Sequence, residues 1–207
     1  NSDLQVDTAY RFGMLPNGMR YIIRHNATPS GTGEVRLVVD AGSLAENDNE
    51  LGYAHFIEHM AFNGSTHVPG NEMYKLLERE GLAFGADTNA STNYDVTLYK
   101  LDLPRNDPAL LDTALMLMRE TASEVTFDQD AIDHEKGVIL SEKRVRDTYA
   151  LRNLVDRIAF QYPDARFVKR LPIGTAEIVQ AATTAGLREL YKRIYTPQNS
   201  AIIVVGD

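Results

Sequence analysis

Strand-like and helix-like patterns follow one another in this chain without the regular strand–helix–strand alternation of a parallel sheet, and that order limits the fold more than any other feature. Met19–His25 is a β-rich run behind the turn Leu15-Pro16-Asn17-Gly18, where Asn-Gly is a strong hairpin signal. Glu34–Asp40 reads as a second strand, ended by Ala41-Gly42-Ser43. An acidic, turn-forming loop at Glu46–Glu50 leads into a helix predicted over Leu51–Phe62, with Leu51, Ala54, Ile57, Glu58 and Ala61 at helical spacing. A second helix is predicted over Glu72–Arg79, closed by Gly81. Phe84–Leu103 reads as two extended stretches, the later one alternating through Val96, Leu98 and Leu101. A helix over Ala109–Ser123 comes next. Asp128 then caps a long helix that runs through Val145 and continues, with a break near Tyr149, to Phe160. Pro163–Pro172 reads as a loop, Thr183 or Thr184 caps a helix ending near Tyr195, and Ala201–Val205 is the last strand. The expectation is an α+β domain, with helices packed on one face of a largely antiparallel mixed sheet.

Composition narrows what such a domain can do. With 207 residues, 43% of them apolar, the chain can bury one substantial core. A formal charge of −8 repels phosphate backbones, so nucleic acid is not an expected partner. The longest uninterrupted apolar run, Ala201–Val205, is far too short for a membrane span. The chain has no cysteine, which removes disulfides and thiolate metal sites. Any metal must be held by histidines and carboxylates.

His55 and His59 lie four residues apart in a predicted helix and therefore project from one face. Two imidazoles so placed can meet one ion at about 2.0–2.1 Å. Glu58 shares that face, where a carboxylate can take a proton from water polarised by the ion. A lone pair of histidines at this spacing is ordinarily a solvated helix face; the intervening glutamate and the scarcity of other histidines favour a metal site. His25, His67 and His134 read as surface or hydrogen-bonded residues. Glu135 and Glu142, two helical turns apart on one face of the long helix, are the carboxylate candidates for a third ligand. An acidic helix stripe is solvated by default, and the spacing alone leaves either glutamate open. Lys143, Arg144 and Arg146 read as a solvated basic face, Tyr94, Tyr99, Tyr149 and Tyr162 as core or rim, and Phe56 and Ile57 as core.

His55-Phe56-Ile57-Glu58-His59 resembles the inverted zinc motif, His-x-x-Glu-His, of the pitrilysin/insulinase family of metallopeptidases, the inverzincins. The resemblance extends to Leu51-Gly52-Tyr53-Ala54, Met60–Ser65, Asn89-Ala90-Ser91-Thr92, Asp95–Tyr99, Glu135–Glu142 and the final Val204-Val205-Gly206-Asp207. It implies one Zn²⁺ ion held by His55, His59 and Glu142. Glu135 would support them from behind, and Glu58 would act as general base in peptide hydrolysis. It implies that the strand around Asn89 and Ala90 pairs with the backbone of a peptide or protein substrate. It further implies that residues 1–207 are a single zinc-binding peptidase domain, the first of a longer chain whose C-terminal domains, or a partner subunit, complete the active site. The alternatives are a non-catalytic peptide-binding or scaffold module, or a half-site inactive without its partner. The resemblance points to a periplasmic or exported protein, with the cytoplasm as the alternative.

Overall fold

Six strands form one sheet in the computed structural model, which describes residues 5–83 and 85–207. They are β1 (Tyr10–Met14), β2 (Arg20–His25), β3 (Gly33–Val39), β4 (Thr88–Thr92), β5 (Thr97–Leu103) and β6 (Ser200–Gly206), in the spatial order β1-β2-β6-β3-β5-β4. All neighbours are antiparallel except β2 and β6, which run parallel, so the sheet is mixed and largely antiparallel as expected. The helices are α1 (Tyr53–Met60), α2 (Glu72–Arg79), α3 (Pro108–Ser123), α4 (Gln129–Arg146), α5 (Tyr149–Gln161), α6 (Ala176–Gln180) and α7 (Thr184–Ile194). Phe84, with which one predicted extended tract opens, lies outside the described residues.

Period-two patterning decides which face of the sheet is covered. Val35, Leu37 and Val39 of β3 are buried on one face, and their cross-strand partners on β5 are Leu101, Tyr99 and Thr97. α1 and α3 pack against this face, with α7 and α4 against α1. α1 is therefore enclosed: Tyr53, Ala54, Phe56, Ile57 and Met60 are all buried. Full burial of Phe56 makes the helix that carries the histidines part of the core. Phe56→Ala is expected to lower the unfolding free energy by about 3–5 kcal/mol through lost transfer energy and the cavity left behind. Denaturant unfolding of the domain checks this, and a loss below about 1 kcal/mol would contradict it.

Several elements differ from their predicted form for identifiable reasons. α1 is shorter than Leu51–Phe62. Gly52 enters it at φ +95°, a left-handed conformation, and lies so close to Gly174 that a Cβ would sit 3.0 Å from its Cα. After Met60 the chain tightens into turns, with Phe62 N–H donating to His59 O at 3.1 Å. β1 has no alternating burial to announce it; its Tyr10, Phe12 and Met14 are exposed. α6, five residues capped by Thr175, is too short to show a period. The stretch Pro163–Pro172, predicted as a loop, contains a 3₁₀ turn at Arg166–Lys169. The break near Tyr149 is real and separates α4 from α5, but Tyr149 is 90% exposed, neither core nor rim.

Candidate metal centre

α1 places His55 and His59 one turn apart with ring centroids 4.7 Å from each other. α4 packs against α1 and brings its own two-turn spacing to bear. From it, Glu142 Oε2 approaches His55 Nε2 at 3.6 Å and His59 Nε2 at 3.5 Å. One turn-pair earlier, Glu135 Oε2 meets His59 Nδ1 at 2.9 Å. Neither glutamate is a solvated stripe: Glu135 is buried and Glu142 is largely so. Arg146, expected on a solvated basic face, instead pairs with Glu142 Oε1, and Lys143 donates to Gly174 O at 2.7 Å.

The donor set fits a divalent cation. His55, His59 and Glu142 each offer one atom, all within 4.8 Å of one another. Two ligand atoms at about 2.0–2.1 Å from a tetrahedral ion lie roughly 3.3–3.4 Å apart, close to the 3.6 and 3.5 Å between Glu142 Oε2 and the two histidine Nε2 atoms. Burial, with the His59 and Arg146 charges adding to it, pushes the His55 pKa down to about 3. Its imidazole is therefore neutral and keeps a lone pair to give. For His59, burial works in the same downward direction but is outweighed. The hydrogen bond with Glu135 and the charges of Glu58, Glu135 and Glu142 hold it above the ordinary histidine value. Negative potential at this spot thus favours any positive charge. Burial opposes ionisation of Glu135, yet its hydrogen bond with His59 wins and holds its carboxyl below the usual range. An ionised carboxylate behind an imidazole fixes the ring's tautomer and orientation.

Glu58 stands beside this set and is itself buried. Burial raises its carboxyl pKa, opposed chiefly by a hydrogen bond from Thr92 Oγ1 to Oε2 at 2.6 Å. A desolvated carboxylate of this kind is a stronger proton acceptor near neutral pH. The residues surround a cavity of about 520 Å³ whose opposite wall is β4, from Asn89 to Thr92. β4 is the edge strand beyond β5. Asp102 N–H to Asp87 O and Asn93 N–H to Val96 O mark the hydrogen-bonded pairs, so in this register Asn89 and Ser91 bond inward to β5. The main-chain groups of Ala90 and Thr92 then turn to the open edge. Asn89 Oδ1 accepts the Ala90 N–H at 2.9 Å.

A family model described as Insulinase (Peptidase family M16) matches residues 21–166. The chain belongs to the insulinase family of peptidases. It is 41% identical over 195 residues to the probable zinc protease PqqL of Escherichia coli, covering 94% of this chain and 21% of that protein. It is 32% identical over 209 residues to the chloroplastic stromal processing peptidase of Pisum sativum, covering 100% of this chain and 16% of that protein. The crystal structure of the first half of the periplasmic protease PqqL from Escherichia coli superposes with a TM-score of 0.95 at 40% identity, covering 100% of this chain and 44% of that one. The chain therefore spans about a fifth of the length of these full-length relatives.

This insulinase-family chain gathers the residues read from the sequence, His55, Glu58, His59, Glu135 and Glu142, into one cavity with Asn89 and Ala90 on its wall. His25 and His67 are elsewhere, near Asp207 and Glu120 respectively. Three residues that touch or support the site are not assigned to it by the sequence. Thr92 and Arg146 touch Glu58 and Glu142. Glu46, read as part of a turn-forming loop, is fully buried and accepts the Gly52 and Ala54 N–H groups at 3.0 and 2.8 Å. It caps the helix of the two histidines, a task Gly52 cannot perform without a side chain. A signal existed: an acid shortly before a helix whose capping position is glycine.

Burial pushes the Glu46 pKa up to about 8 against those N–H bonds and the nearby Arg170. The folded state therefore holds this proton more tightly than the unfolded chain does. The stability it contributes is complete below the ordinary value of 4.5 and is lost as pH rises through about 8. Wild type is expected to lose stability relative to Glu46→Gln, by up to a few kcal/mol, across that window. Unfolding free energies measured along a pH series check this, and a difference that stays flat with pH contradicts it.

Proposed function

We propose that this domain carries the metal and the general base of a zinc-dependent endopeptidase. The observation that carries the reading is the convergence of His55 Nε2, His59 Nε2 and Glu142 Oε2 beside the buried Glu58, in a cavity walled by an open sheet edge. His55, His59 and Glu142 hold one zinc ion. When bound there, zinc supplies Lewis acidity, polarising the scissile carbonyl and letting water lose a proton near neutral pH. Glu58 accepts that proton and later delivers it to the leaving amine nitrogen. Glu135 keeps the His59 ring aimed. Arg146 holds the second oxygen of Glu142 and so orients that carboxylate. An extended peptide adds to β4 as a further strand, exchanging main-chain hydrogen bonds with Ala90 while the Asn89 side chain releases the Ala90 N–H.

The relatives run far beyond this chain, so the remaining domains or a partner subunit complete substrate binding, and the PqqL likeness favours a periplasmic or exported protein over a cytoplasmic one. Among the described residues no helix is long and apolar enough to cross a membrane. Metal removal tests the reading. Chelator treatment of the full-length protein should abolish cleavage of an unstructured peptide, and one equivalent of zinc should restore it. Undiminished cleavage in zinc-free protein would refute the proposal.

A further inference from the structure

We infer that Thr92 is the positioning residue for Glu58, locking the base to the same strand that receives the substrate. This rests on the reading of Glu58 as general base. The terminal torsion of a glutamate is soft and two-fold, so a carboxylate in a cavity has no intrinsic reason to present one particular oxygen. Here one hydrogen bond removes that freedom. Thr92 Oγ1 donates to Oε2 at 2.6 Å, and no other protein group bonds to the Glu58 carboxylate among the described residues. Oε1 is left for the reacting water.

A donor can only aim its acceptor if it is itself held, and the end of β4 is held from behind. Thr92 pairs across the sheet with Thr97, whose fully buried hydroxyl donates to Ala41 O at 2.9 Å. Asn93 N–H donates to Val96 O at 2.8 Å, closing the hairpin to β5. Ser43 N–H and Leu44 N–H donate to Asn93 O and Tyr94 O at 3.1 and 2.8 Å. Gly42 lies flush against this corner: a Cβ there would stand 2.1 Å from Asn93 O. Threonine's branched Cβ further restricts χ1, so the hydroxyl direction follows the backbone. The main chain of Thr92 meanwhile faces the open edge beside Ala90. A peptide paired along β4 thus lies on the residue that aims the base.

A strand threonine is ordinarily present for β propensity and shape, and valine preserves both while removing only the donor. In the full-length protein, kcat and KM for an internally quenched unstructured peptide, and zinc affinity by chelator competition, are measured for wild type, Thr92→Val, Thr92→Ser and Glu58→Gln. Thr92→Val should lower kcat about 10- to 100-fold, the range for a hydrogen bond to a charged group, with KM and zinc affinity unchanged. Thr92→Ser should restore most of the loss. Should the valine variant not fold, Thr92→Ala against Thr92→Ser gives the same contrast of hydroxyl absent and present. Wild-type kcat without the hydroxyl, a serine variant no better than valine, or a loss confined to KM or zinc affinity overturns the inference. Wild-type turnover by Glu58→Gln would instead overturn the assignment of the base.

Discussion

Glu58→Gln in the full-length protein is expected to abolish peptide cleavage while leaving zinc bound with wild-type affinity. Gln keeps the length of Glu58 and an oxygen for the Thr92 hydroxyl but cannot accept the water's proton. General-base catalysis is worth about 10²- to 10⁴-fold, so residual turnover should fall at least into that range. The zinc readout separates this from a structural effect. Glu58 is absent from the three converging ligand atoms, so its replacement should not release metal. A variant that cleaves at an undiminished rate contradicts the role assigned to Glu58, and one that loses zinc places Glu58 among the ligands.

The second large effect distinguishes the two glutamates of α4. Glu142→Ala removes a proposed ligand atom and is expected to weaken zinc binding by well over about 100-fold, with loss of activity to match. Glu135→Ala removes only the partner of His59 Nδ1, and loss of such a supporting contact costs about 10- to 100-fold in metal affinity. Both variants should stay folded, since neither side chain belongs to the apolar core. Zinc affinities of the two variants in parallel give the ranking. Equal losses, or a larger loss at Glu135, would reverse the assignment.

That ranking shows where reading the sequence reached and where it stopped. His55, Glu58 and His59 are legible because helical spacing alone brings them to one face. Glu135 and Glu142 share a face for the same reason, but which of them meets the histidines depends on how α4 packs against α1, a tertiary fact. The likeness to a known family points to Glu142, whose Oε2 lies 3.6 and 3.5 Å from the Nε2 atoms of His55 and His59. Thr92 carries no local signal of its role, because its partner lies 34 positions earlier in the chain and no local pattern joins them. Arg146 reads as solvated because charge runs on helices usually are; its neighbour one turn back, Glu142, is the available clue. Alternation in β3 and β5 foretold the covered face of the sheet, whereas β1 alternates Tyr10, Phe12 and Met14 with Arg11 and Gly13 but leaves that apolar face exposed. The α+β class survived these gaps because it depends on the buried elements, where the patterning is strongest.

The proposed centre is a single zinc ion held by His55, His59 and Glu142, with Glu58 beside it and unligated. Anomalous diffraction at the zinc absorption edge, from crystals of the zinc-loaded protein, tests it most directly. One peak bonded to His55 Nε2, His59 Nε2 and Glu142 Oε2, with Glu135 hydrogen-bonded to His59, is the predicted result. A peak ligated by Glu135 or Glu58, a site closed by a fourth protein ligand, or no peak between α1 and α4 would contradict it.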